Sequence, residues 1–142
     1  MVLAPQKPSR ELDYSDLDLD FIAHPTTGDI VKKRGVDAIK RSVRNLILTN
    51  FYDRKFRHFI GSNVQALLFE NINMFTATFL RDAIEQVIVN FEPRVRLDPS
   101  RANKGITINV DPDNNGYAVQ IEFIIVNREE PAIIRLFLEK LR

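Results

Sequence analysis

ITINVDPDNNGYAVQIEFIIV, residues 106–126, holds two apolar runs of period two around a six-residue turn composition. Ile106, Ile108 and Val110 alternate with Thr107 and Asn109, and Tyr117, Val119, Ile121 and Phe123 alternate with Ala118, Gln120, Glu122 and Ile124. Side chains of a strand point alternately to opposite faces, so each run predicts a strand with one buried face. Between them, DPDNNG concentrates proline, aspartate, asparagine and glycine. That composition predicts a hairpin connection with one residue at positive φ. Downstream, AIIRLFLEKLR admits a strand with Ile134, Leu136 and Leu138 inward, or a short helix. The β-branched Ile133 and Ile134 after the NREEP turn favour the strand.

Upstream of the hairpin the period changes. In TATFLRDAIEQVIVNFEP, the residues Phe79, Ala83, Ile84, Val87, Ile88 and Phe91 read as one helical stripe. Pro93 lacks a donor and disfavours helical geometry at Glu92, so this helix must end at Asn90 or Phe91. Val36, Ile39, Val43, Leu46 and Ile47 form a second amphipathic stripe, with Lys40, Arg41 and Arg44 opposite. Ser62 or Asn63 is placed to cap a short helix containing Val64, Leu67, Leu68 and Phe69. Pro25, Gly28 and Gly35 mark HPTTGDIVKKRG as a loop or small hairpin. The proline-containing, acid-alternating stretch 1–20 reads as an extended arm, leaving 21–142 as one domain. Helices first and strands later predict an α+β fold: N-terminal helices packed on one face of a small, mainly antiparallel C-terminal sheet.

Composition narrows the function. The chain's 142 residues, 44% of them apolar, suffice for one sizeable core. Twenty basic residues nearly cancel nineteen acidic ones, so no global charge favours nucleic acid or a membrane surface. The absence of cysteine removes disulfides and thiolate chemistry and fits a reducing compartment. No apolar run approaches the roughly 18 residues of a membrane span, and the first residues do not read as a signal peptide.

At the helix-to-strand switch stands FEPRVRL, residues 91–97. On one reading Glu92 and Arg94 are solvated charges beside a helix stop, contributing little. On the other, Glu92 and Arg94 are i and i+2 of an extended segment, held on one side by Pro93 and by the anchors Phe91 and Val95. A planar guanidinium fixed in that way docks carboxylates or helix-end carbonyls in bidentate fashion.

The ordered set LLFENIN, TATFLRDAIEQVIVNFEPRVRL, VDPDNNGYAVQIEF and a final apolar strand resembles the contractile-tail baseplate wedge family, across roughly residues 20–142. That family includes sheath initiators of T-even phages and baseplate subunits of type VI secretion systems. Its hallmark tripeptide falls on Glu92, Pro93 and Arg94. The resemblance implies a structural subunit of a bacteriophage tail baseplate, present in multiple copies and assembled in the host bacterial cytoplasm. Its expected partners are other baseplate wedge proteins, docked through Glu92, Pro93 and Arg94, and the tail sheath protein, met by an edge strand of Ile133, Ile134, Arg135, Leu136, Phe137 and Leu138. Sheath assembly would begin there by strand addition. No cofactor, nucleic acid or membrane is implied. One departure is FYDRKFRHFIGS, residues 51–62, where many members carry a Gly-Glu-Arg turn, a proline and Phe-Gly. Arg54, Phe59 and Gly61 keep corresponding places and Asp53 stands for the glutamate. The segment reads as a basic solvated loop with Phe56 and Phe59 tucked into the core, or as a partner site.

Because members are also labelled lysozyme-like, a glycoside hydrolase acting on peptidoglycan is the alternative function. Such chemistry needs two carboxyl groups at set separation, one with a raised pKa. Asp16, Asp18 and Asp20 lie in the arm, Glu70 ends a short helix, and Arg94 would lower rather than raise the pKa of Glu92. His24 and His58 lie on separate loops without helical pairing, so no metal site is expected. DPDNNG is a poor calcium loop although Glu122 stands twelfth from Asp111, because the residues after it read as a strand. KKRG with Lys40, Arg41 and Arg44 lacks an aromatic platform for nucleic acid.

Overall fold

The computed structural model describes residues 14–17, 21–126 and 131–141. The expectations for 1–13 and 18–20 of the arm, and for most of NREEP, lie outside those residues. In chain order the elements are β1 (Ser15–Leu17), β2 (Lys32–Arg34), α1 (Gly35–Leu48), α2 (Val64–Leu68), α3 (Met74–Phe91), β3 (Val95–Arg96), a 3-10 turn (Ala102–Gly105), β4 (Ile106–Asp111), β5 (Gly116–Ile125) and β6 (Pro131–Glu139). Two compact units result, Met1–Ala38 and Ile39–Arg142, with the division falling inside α1.

In the first unit β1 pairs antiparallel with β2, Ser15 opposite Arg34 and Leu17 opposite Lys32. Ala23 and Ile30 form an antiparallel bridge. The turn between them closes through Gly28 N–H to His24 C=O at 2.9 Å, with Gly28 at φ +68°. The small-hairpin reading of HPTTGDIVKKRG holds.

The second unit is built on β5. Along one flank lie β4, pairing Ile106 with Ile121 through Asp111 with Gly116, and β3, pairing Val95 with Ile125 and Arg96 with Ile124. Along the other lies β6, in register from Gly116–Glu139 to Ile124–Pro131. Every pairing in this sheet is antiparallel, and α3 packs on β4 and β3. Tyr117, Val119, Ile121 and Phe123 are all buried, as are Ile134, Leu136 and Leu138 of β6. The α+β expectation and the strand reading of the last run are both met.

The hairpin turn shows how its composition acts. Asn115 takes φ +53°. Asp111 accepts from the Asn114 backbone N–H at 3.2 Å and its side-chain amide at 2.7 Å, and these bonds hold the Asp111 carboxyl below its ordinary pKa. Its oxygens are thus committed to the turn.

Three local expectations need correction. Phe79 is 61% exposed, and the buried stripe of α3 is Thr76, Ala77, Leu80, Ile84, Val87 and Ile88. A helix advances roughly 100° per residue, so Phe79 turns out with Phe75 once Leu80, Ile84 and Ile88 face the core. Phe69 likewise lies outside the core, just past the end of α2. Neither Ser62 nor Asn63 makes a regular cap, since Asn63 makes no side-chain cap bond. The buried Ser62 hydroxyl instead donates to Ile47 C=O at 2.7 Å and accepts from Val64 N–H at 3.3 Å, joining the ends of α1 and α2.

Candidate docking surfaces

The Glu92–Arg94 corner starts where α3 runs out of helical geometry. Glu92 still donates its N–H to Ile88 C=O at 3.0 Å, but its own backbone leaves the helix at φ −123°, ψ 80°. Its C=O then accepts from Val95 N–H at 3.2 Å, closing a turn rather than the extended segment expected. Pro93 is the reason: its fixed φ suits the second position of such a turn. The turn still brings the two charges together. Arg94 Nε donates to Glu92 Oε1 at 2.5 Å and Nη2 to Oε2 at 2.8 Å, a bidentate pair. Ser42 on α1 donates its hydroxyl to Oε2 at 2.6 Å.

Glu92 is 3% exposed, and the Arg94 side chain 28%. Burial pushes the Glu92 carboxyl up, but the hydrogen bonds from Arg94 and Ser42 and the charge of Arg94 outweigh it, so its pKa lies below the ordinary value. The carboxylate is therefore an internal counter-charge that orients Arg94. What remains at the surface is one partly exposed guanidinium beside an exposed proline.

The second surface is β6, which pairs only with β5 among the described residues. Its backbone polarity follows from one bond: Lys140 N–H donates to Asn115 C=O at 2.9 Å, marking that pair as hydrogen-bonded. Bonded pairs alternate along an antiparallel ladder, so Leu138, Leu136, Ile134 and Ala132 point their N–H and C=O at β5. Ile133, Arg135, Phe137 and Glu139 present theirs outward. The same residues form the outer face, with Ile133 at 44% and Phe137 at 49% exposure. Expected residues 133–138 thus supply both the inner and outer rows of a rim strand.

Other carboxylates are tied up or isolated. Arg101 bridges Asp98 and Glu122, with Nε 3.6 Å from Asp98 Oδ2 and Nη1 on Glu122. Bonds from Ser100, opposed by partial burial and aided by Arg101, hold Asp98 below its ordinary pKa. Glu70 is exposed just past α2. A cleft of about 180 Å³ between α3 and residues 51–63 is lined by Phe51, Gln86, Asn90 and Phe91 among others, with no acid. Among the described residues no group of three His, Asp or Glu side chains could hold a metal ion, and no helix is long and apolar enough to cross a membrane.

Sequence reasoning missed two parts of this picture. Ser42 borders the apolar stripe of α1, and no local pattern links it to a residue fifty positions on. Phe56 and Phe59 are not in the core but exposed. The loop carrying them is held by backbone bonds at its base instead of by burial of its rings.

Helices on one face of an antiparallel sheet, with a sealed Glu-Pro-Arg corner and an open rim strand, define a small α+β protein whose candidate sites are surfaces rather than a cavity. A family model described as baseplate wedge protein gp25 matches residues 33–129, and the chain belongs to that family. It is 28% identical over 119 residues to the baseplate wedge protein gp25 of Enterobacteria phage T4, covering 82% of this chain and 83% of that one. Its fold is similar to a putative tail lysozyme from Geobacter sulfurreducens, with TM-score 0.58 and 18% identity over 75% of this chain and 93% of that one. It is also similar to a chain of the anti-feeding prophage baseplate, with TM-score 0.53 and 18% identity over 92% and 88% of the two chains. Membership of the family makes this protein a baseplate component of a phage or phage-like tail.

Proposed function

We propose that the chain is a structural wedge subunit of a contractile phage tail. It docks onto partner wedge proteins through Glu92, Pro93 and Arg94 and initiates the sheath by accepting a strand of the sheath protein along β6. The observation that carries this reading is the rim of β6, where four alternate residues turn outward backbone groups that pair with no strand among the described residues, and where Ile133 and Phe137 lie exposed between Arg135 and Glu139. Such an edge is an aggregation hazard unless a partner completes it. The Glu92–Arg94 pair adds a guanidinium whose direction is set from within, so little side-chain freedom is lost on docking. Repeated copies around the baseplate, assembled in the host cytoplasm, would follow from partner symmetry.

Arg135 allows a direct test, because its N–H points away from β5 and proline is tolerated at such edge positions. Arg135→Pro is expected to leave the melting transition within a few degrees of wild type. Particles carrying it should hold baseplates but at least tenfold fewer sheathed tails by negative-stain microscopy. Normal sheath yield in a folded variant would remove strand addition from the proposal.

The name of the Geobacter sulfurreducens neighbour favours a second reading, peptidoglycan hydrolysis. A general acid needs a raised pKa, whereas Glu92 is lowered and sealed by Arg94 and Ser42. Purified protein is expected to release no soluble muropeptides. Release that disappears in Glu70→Gln would establish the enzyme instead.

A further inference from the structure

We propose that the loop from Phe51 to Ile60 is a third docking surface, which seats the Phe56 ring in an apolar recess of a partner polypeptide while Arg54, Lys55 and Arg57 meet acidic side chains around it. Phe56 is 97% exposed, touching almost nothing of its own fold. A flexible loop would be free to fold such a ring against its own apolar neighbours; this loop is braced against doing so.

Its two ends are clamped. Asn50 and Ser62 form a bridge, with Ser62 N–H on Thr49 C=O at 2.8 Å, and the Asn50 side-chain amide bonds Gln65. Inside the clamp, Tyr52 N–H donates to His58 C=O at 2.9 Å, and the Tyr52 and His58 rings stack at 5.8 Å and 9°. Successive turns bond Arg57 N–H to Arg54 C=O and Ile60 N–H to Arg57 C=O at 3.2 and 3.0 Å. The tip is therefore pre-shaped, which lowers the ordering cost of binding.

Charge identifies the partner. The loop's one acid, Asp53, is engaged at the loop base, where it accepts from Asn50 N–H at 2.8 Å. Arg54, Lys55 and Arg57 make no ion pair among the described residues, so three cations within two residues of Phe56 along the chain are open to a partner, in a protein whose net charge is only +1. An aromatic anchor within a charged rim is the arrangement of a protein hot spot. A nucleic-acid strand would need a run of free stacking faces along a basic track. Here Tyr52 stacks on His58 and Phe59 meets the His58 ring edge-on, so among the rings from 52 to 59 Phe56 alone has no aromatic neighbour.

The loop shares no residue with the Glu92–Arg94 corner or with β6, and it rests on the baseplate reading only for the particle used to test it. The test places the photo-crosslinking analogue p-benzoylphenylalanine at position 56 of the full chain. Mass spectrometry of purified tails first measures the chain's copy number, so failure of the baseplate reading would appear as its absence from the particle. With the chain present, irradiation is expected to give one dominant crosslink, to an acidic segment of a different tail protein. In parallel, Phe56→Ala, and separately Arg54→Glu with Arg57→Glu, should each lower incorporation about tenfold while leaving the melting curve of the isolated protein unchanged. Crosslinks to nucleic acid, to a second copy, to a segment without acids or to nothing would each overturn the assignment. So would salt-sensitive binding of a fluorescent single-stranded DNA 30-mer by the wild-type chain.

Discussion

Arg94→Ala is expected to cost roughly 3–5 kcal/mol of folding stability, the range for stripping one partner from a buried ion pair. Removing the guanidinium takes away two hydrogen bonds and the only cation that either Glu92 oxygen contacts among the described residues. Ser42 alone would face a carboxylate that is 3% exposed. Denaturant unfolding measures this directly. Glu92→Gln should cost less, because Arg94 is partly exposed and can recover water. The double variant should be more stable than Arg94→Ala alone, a coupling that a purely additive pair would not show.

The pH dependence gives a second reading of the same corner. In the wild type the folded Glu92 pKa is depressed, so its contribution is complete above the unfolded value and is lost as pH falls through the folded value. In Arg94→Ala burial, the largest influence on this carboxyl, is opposed only by the Ser42 hydrogen bond, and the folded pKa should rise above the unfolded one. The sign then reverses, with the penalty greatest near neutral pH and shrinking in mild acid. Equal destabilisation of the variant at pH 4 and pH 7 would show that Glu92 is not the group left stranded. The consequence for assembly is practical: Arg94→Ala mixes a folding defect with any docking defect. Arg94→Lys, which keeps the charge and loses the fork, is the cleaner probe of partner contact.

Gly61→Ala is expected to be the next most damaging change, at about 3 kcal/mol, the upper end of what overpacking costs. A Cβ at position 61 would lie 2.4 Å from the carbonyl carbon of Asn50, 2.5 Å from its oxygen and 2.6 Å from the Phe51 nitrogen. All three are backbone atoms that cannot rotate aside. Relief requires the segment bearing Asn50 to move, which breaks its bridge to Ser62 and loosens the Ser62 bonds to Ile47 and Thr49. Hydrogen exchange should show faster amides at Ser62 and Tyr52 with little change at Val119 and Ile121. Unchanged exchange at the loop base would mean that the clamp does not depend on this close approach.

Period carried most of the architecture. The alternation on either side of DPDNNG placed β4 and β5, and the turn chemistry anticipated a positive φ that Asn115 adopts. The stripes of α1 and α3 were visible for the same reason, yet adjacent apolar residues Phe79 and Leu80 left one face ambiguous by a residue, and only packing decided it. Pro93 announced the end of α3, but turn and extended chain satisfy proline equally well. The Glu92–Val95 bond had no local signature. Loop 51–62 was the least legible because it has no period, and large aromatics usually imply burial. Its exposed rings follow from a clamp made by Asn50, Gly61 and Ser62, whose contacts are long-range.

The two rims of the sheet are unequal. One is the unbroken nine-residue β6, while the other is split between six-residue β4 and two-residue β3. On the proposed strand-addition reading, one long and one fragmented border would discriminate between ends, so a polymer begun there would inherit a polarity. Growth in a single direction would then need no separate cap to suppress the wrong one, since the interrupted border offers too short a template to start a competing chain.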